Sequence, residues 1–96
     1  MIINLNPAKK QEIDRELFKK ARQAIVDSIT VNVNGKVFDG DEVSQGRMAR
    51  ALVAMSENDT IVWVLADNTP TQVTQSELIE ALRLAGLAQA EAWVQQ

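Results

Sequence analysis

The chain has 96 residues, 46% of them hydrophobic and 24% charged, with a formal net charge of -3 and neither histidine nor cysteine. That length and composition suit one soluble globular domain with a small aliphatic core. The missing imidazole and thiol exclude a disulfide framework, a thiolate nucleophile, sulfur-ligated zinc and the commonest general base. The charge is uneven. Residues 1–50 carry nine Lys/Arg against seven Asp/Glu, whereas residues 51–96 carry only Arg83 against six acids. A basic first segment could steer an acidic partner, but Glu12, Asp14 and Glu16 interleave with its lysines as on an ordinary solvated helix face.

Residues 1–6 are expected to be extended or disordered, and residues 1–5 are too short an apolar run for a signal peptide. Asn6-Pro7 suits a helix start, with Asn as N-cap and Pro at the first helical position. A first helix is expected over 7–29. Ile13, Leu17, Ala21, Ala24 and Ser28 recur at spacings of three and four, and Ile25 and Ile29 widen this stripe into a face expected to turn inward. A hairpin is expected over 30–39, because Asn34-Gly35 tolerates the positive φ angles of a type I′ turn. A two-residue loop sets Val33 against Lys36 and Val31 against Phe38, the latter a buried cross-strand pair.

A second helix is expected over 42–57, capped by Asp41 or Ser44. Its apolar stripe is Met48, Leu52 and Met55; Arg47 and Arg50 face outward, and Gly46 would allow another backbone to approach. Residues 60–73 read as a second hairpin, and the run TIVWVLA is apolar on both faces, as in a central strand or one packed under two layers. Asp67 to Pro70 is its turn, with Pro70 at a strand start. Thr74 and Glu77 match a capping box, opening a third helix over 75–94 whose inner side is read as Leu78, Ile79, Leu82, Ala85, Gly86 and Trp93. Val43-Ser44-Gln45 and Val73-Thr74-Gln75 lie 30 residues apart, either a trace of duplication or convergence on one pattern. The fold class is therefore α+β, three helices packed on two short antiparallel hairpins in the order α-ββ-α-ββ-α. The strands form either one four-stranded sheet or two ribbons.

No catalytic constellation emerges. Asp39, Asp41 and Glu42 are explained by a turn and a cap, and no calcium-loop spacing accompanies them. The serines have no histidine to activate them, and the dispersed glycines form no phosphate cradle. A nucleic acid could meet the basic first helix, yet a pI near 4.8 and the lack of interleaved aromatics disfavour it. Trp63 reads as core. Trp93, near the end of the third helix, either packs back or offers an oligomer contact.

Four motifs, Val33-Asn34-Gly35, Phe38 to Gln45, Trp63 to Asn68 and Thr74 to Leu78, together resemble a domain of unknown function common in bacteriophage and prophage tail and tail-fibre (assembly) proteins. The resemblance spans about residues 10 to 94. It carries no established activity and no cofactor. It implies a virion tail or host-cytoplasm setting and a protein partner, a tail or tail-fibre component, with homo-oligomerisation open and no membrane or metal. The expectation is a non-enzymatic contact module; the alternative is a small regulatory or nucleic-acid-binding protein that uses the basic first helix. The polar positions singled out for interaction are Gln45, Arg47, Asp67 and Asn68, together with Trp93; Gln45 is singled out because no structural task is evident for it.

Overall fold

The computed structural model describes residue 17 and residues 19–94. Helix α1 is described at residue 17 and through 19–27. Strands β1 (Thr30–Val33) and β2 (Lys36–Asp39) follow, then helix α2 (Glu42–Ala54), strands β3 (Thr60–Val64) and β4 (Pro70–Thr74), and helix α3 (Gln75–Val94). The architecture is α+β in the order α-ββ-α-ββ-α. The strands pair as two separate two-stranded antiparallel sheets. The Asn6-Pro7 start of the first helix, and Ile13 with its acidic and basic neighbours, lie outside the described residues.

The first hairpin closes as its turn residues dictate. Asn34 and Gly35 take φ of 54° and 79°, the two left-handed positions of a type I′ turn. The Asn32 side chain braces the loop by accepting the Gly35 N–H at 3.0 Å. Val33 lies opposite Lys36 and Val31 opposite Phe38. Val31, Val33 and Phe38 are buried, and Phe38 is completely enclosed. Beyond β2 the chain squeezes through at Gly40, whose N–H donates to the Ile29 carbonyl at 2.8 Å. A Cβ at Gly40 would sit 2.6 Å from Ile29 Cγ2 and 3.0 Å from Ala85 Cβ, so only glycine fits between the end of α1 and α3. The close approach anticipated at Gly46 occurs here instead; at Gly46 a Cβ would meet only an Arg50 Nη1 at 3.4 Å.

The second hairpin turns on Asn68, with φ of 66°. The Asp67 carboxylate accepts the Thr69 N–H at 3.0 Å, and the Leu65 N–H donates to the Thr69 carbonyl at 2.9 Å. This local bonding is the reason Asp and Asn suit such turns. One backbone bond joins the ribbons, from the Ala66 N–H to the Val37 carbonyl at 2.9 Å. The β3 strand is not central. Its residues alternate between half-buried and exposed, and β4 is its one strand partner in the sheet.

The core gathers around Phe38, Met48, Leu78, Val26 and Val73, all fully buried. On α3 the buried stripe is Leu78, Ala81, Ala85 and Ala92, a 3–4–7 spacing that places small side chains where the neighbouring elements approach. Of the inner side read from sequence, Leu78 and Ala85 are buried and Leu82 packs against the core, whereas Ile79 and Trp93 are about half exposed and Ala81 and Ala92 are buried instead. Helix α2 ends at Ala54 rather than 57, the described part of α1 ends at 27 rather than 29, and the second hairpin extends to Thr74. Both halves run hairpin then helix, but the 30-residue match does not align them: Val43-Ser44-Gln45 lies inside α2, whereas Val73-Thr74-Gln75 straddles the β4–α3 junction.

The largest departure concerns α1. Its buried residue within the helix is Val26, and Ile29 follows just beyond. The stripe expected to turn inward faces out: Leu17 is 60% and Ile25 49% exposed, and Ala21, Ala24 and Ser28 are exposed as well. Val26 and the stripe lie on opposite sides of a 3.6-residue helix.

Candidate interaction surface

The most elaborate polar arrangement surrounds Glu77. The capping box is present in full: the Glu77 N–H donates to Thr74 Oγ1 at 3.1 Å, and the Thr74 N–H donates to Glu77 Oε1 at 3.0 Å. Two residues of the first hairpin close over the same carboxylate. Lys36 Nζ donates to both its oxygens at 2.8 Å, and Asn34 Nδ2 donates to Oε2 at 3.1 Å. Lys36 Nζ also donates to the Gln72 carbonyl at 3.0 Å. Glu77 is only 7% exposed. The Lys36 ammonium, then the Thr74 backbone N–H and the Asn34 amide hold its carboxyl down at about 2. This group is a strut: it locks the β1–β2 turn to the first turn of α3.

Gln45 has a comparable task, contrary to the expectation that it had none. Its Nε2 donates to the Gly40 carbonyl at 2.9 Å and to Gln89 Oε1 at 2.7 Å, and Gln89 in turn donates to Glu42 Oε1 at 2.9 Å. The chain of amides ties the start of α2 to α3 and satisfies the carbonyl at the tight Gly40 passage. The Asp41 side chain makes no hydrogen bond to the helix N-terminus; it accepts the Ser44 hydroxyl instead.

Two of the five singled-out residues come together. Arg47 and Asn68 line one open groove of about 370 Å³ with Asp39, Ser44, Trp63, Val62 and Val64. The Arg47 guanidinium makes no hydrogen bond or ion pair among the described residues. Val62 is 62% and Val64 55% exposed, so the outward side of the ribbon is apolar and open. Trp63 points to the other side of the strand and packs, half-buried, against the core. Asp67 lies apart, in a second cleft with Gly35, Val37, Leu65 and Ala66. Hydrogen bonds from Thr69, side chain foremost and backbone next, keep its exposed carboxylate below the ordinary range. Trp93 is remote from both, at the end of α3, with the Arg22 guanidinium 4.2 Å above its ring. This cation–π contact holds α1 against the third helix.

Sequence reasoning missed Val62 and Val64 as surface residues because an unbroken apolar run has no polar alternation to mark its exposed side. Among the described residues no helix is long and apolar enough to cross a membrane, and no group of three His, Cys, Asp or Glu side chains could hold a metal ion.

A family model for a domain of unknown function, DUF4376, matches residues 5–96. The chain belongs to this family. Neither a curated protein nor a solved structure matches it. The match takes in every described element, so the groove, the Glu77 strut and the outward face of α1 all fall within the family's span.

Proposed function

We propose that this domain is a non-enzymatic contact module of a phage or prophage tail, or of its assembly, and that it binds a protein partner on the outward side of the second hairpin. The observation that carries the contact role is the groove itself. It sets a cation with no hydrogen bond or ion pair among the described residues, Arg47, and a turn amide, Asn68, beside two exposed valines on a strand. An apolar patch rimmed by a few polar groups is the usual form of a protein contact site. The buried ionisable group described above, Glu77, is fully engaged in holding the fold, which leaves it no part in acid–base chemistry. The phage setting rests on the resemblance of the hairpin, Phe38 to Gln45 and Trp63 to Asn68 motifs to tail-associated proteins.

Co-purification of the tagged chain with tail components during phage assembly tests the proposal. Binding is expected to fall at least tenfold in Val62→Ser and Arg47→Ala variants that melt like the wild type. A deletion mutant that makes normal, infectious tails overturns the phage role. Unchanged capture by both variants overturns the assignment of the surface.

A further inference from the structure

Helix α1 is apolar on two opposite sides, and the domain covers only one of them. The inward side is fixed. Val26 is fully buried, Ile29 is buried just beyond it, and Arg22 is stacked on Trp93. Rolling the helix to bury its other side would bring Val26 to the surface, so the exchange gains nothing. The outward side carries Leu17, Ala21 and Ala24 at spacings of four and three, all exposed, with Ile25 along one flank and Ser28 exposed in the turn just beyond the helix. This is the seam spacing by which one helix packs into another. A helix apolar on two sides is ordinarily sandwiched between two layers.

We infer that the outward seam of α1 is covered by α1 of a second copy of this chain, the two helices running antiparallel about a two-fold axis. The charges beside the seam select this occupant and this direction. Lys20 and Asp27 lie seven residues apart on the same flank, both exposed, too far along the helix to pair with each other. An antiparallel copy sets Lys20 of each chain beside Asp27 of the other, twice over, because a two-fold interface pairs each residue reciprocally. A parallel copy would instead lay Lys20 along the flank that carries Ile25. The antiparallel arrangement also stacks Ala21 on Ala24, two small side chains that let the helix axes approach closely. The Asp27 carboxylate is already oriented, accepting the Gln23 side-chain amide at 2.9 Å.

This interface is independent of the hairpin groove, which lies on α2 and β3, so capture of another protein and self-association fail separately. Sedimentation velocity of the full chain over a concentration series is the first measurement, and a dimer is expected. Ala24→Glu, an exposed position, is expected to give a monomer. Lys20→Asp is expected to weaken the dimer at least tenfold, and Lys20→Asp combined with Asp27→Lys to restore it. Because the chain contains no cysteine, an equimolar mixture of Ala21→Cys and Ala24→Cys chains should cross-link faster than either variant alone. A monomer even at about 1 mM protein, a dimer untouched by Ala24→Glu, or a charge reversal that does not rescue overturns the inference. Cross-linking that is no faster in the mixture than in the single variants overturns the antiparallel register.

Discussion

The two hairpins are built alike and used differently. Both are two-stranded and antiparallel, both turn on an Asn with positive φ, and each is followed by a helix. The first has strands of four residues, among them Thr30, Asn32, Lys36 and Asp39, yet it buries Val31, Val33 and Phe38 and is bolted to α3 through Glu77. The second contains the most apolar strand in the chain, yet Val73 is its fully buried residue and Val62 and Val64 face outward. An isolated ribbon is marginal in water, so what a hairpin contributes depends on which helices cover it. Hydrophobicity along the strand does not measure that; the second ribbon keeps an apolar side because only one of its faces meets the core.

If this contrast is right, substitutions in the first hairpin should damage stability and those on the outer side of the second should not. The largest effect is expected from Phe38→Ala, which empties a fully enclosed site. Its loss should reach about 3–5 kcal/mol in urea unfolding; a loss under 1 kcal/mol on the order of Ile→Val changes would break the comparison. Next comes Glu77→Gln, which removes the charge from the Lys36 contact and is expected to cost about 2–3 kcal/mol at neutral pH. The exposure of Lys36 keeps this below a fully desolvated pair. The same strut fixes the acid response. Because the folded carboxyl sits at about 2 against an ordinary 4.5, its contribution is complete above 4.5 and lost as pH falls toward 2. Urea midpoints measured across that interval should fall in the wild type and be flatter in Glu77→Gln.

A smaller loss, about 1 kcal/mol, is expected from Gln45→Ala, which leaves the Gly40 carbonyl and the Gln89 amide without their shared partner. Double-mutant cycles with Gln89→Ala should show the two changes to be non-additive. The smallest effect belongs to Val62→Ser on the open side of β3, expected to lie within about 0.5 kcal/mol of the wild type by thermal melting. That substitution sharpens the comparison most, since it should leave the fold intact while removing partner capture.

Local features were legible wherever one residue type has a strong backbone preference. Asn34-Gly35 predicts the type I′ turn and with it the pairing of Val31 with Phe38, because a two-residue loop leaves one register. Thr74 and Glu77 mark the start of α3 through the reciprocal bonds of a capping box. The candidate site was legible only in part. Arg47 and Asn68 line one groove, while Gln45 also braces α2 against α3, Asp67 forms its turn, and Trp93 carries Arg22. Those tasks depend on Gln89, Gly40 and Arg22, distant along the chain, and no spacing rule connects them.

By itself the sequence determined the order of elements, the type of the first hairpin's turn, the helix start at Gln75 and the absence of imidazole and thiol chemistry, since each depends on the intrinsic geometry or chemistry of neighbouring residues. Only the tertiary structure decided which apolar faces are covered. It chose Val26 over the Leu17–Ala21–Ala24 stripe of α1, Ala81 and Ala92 over Ile79 and Trp93 on α3, and left Val62 and Val64 open. Hydrophobic burial is non-directional, so a helix or strand with two apolar sides has no local reason to prefer either; the shape of the neighbouring surface makes the choice.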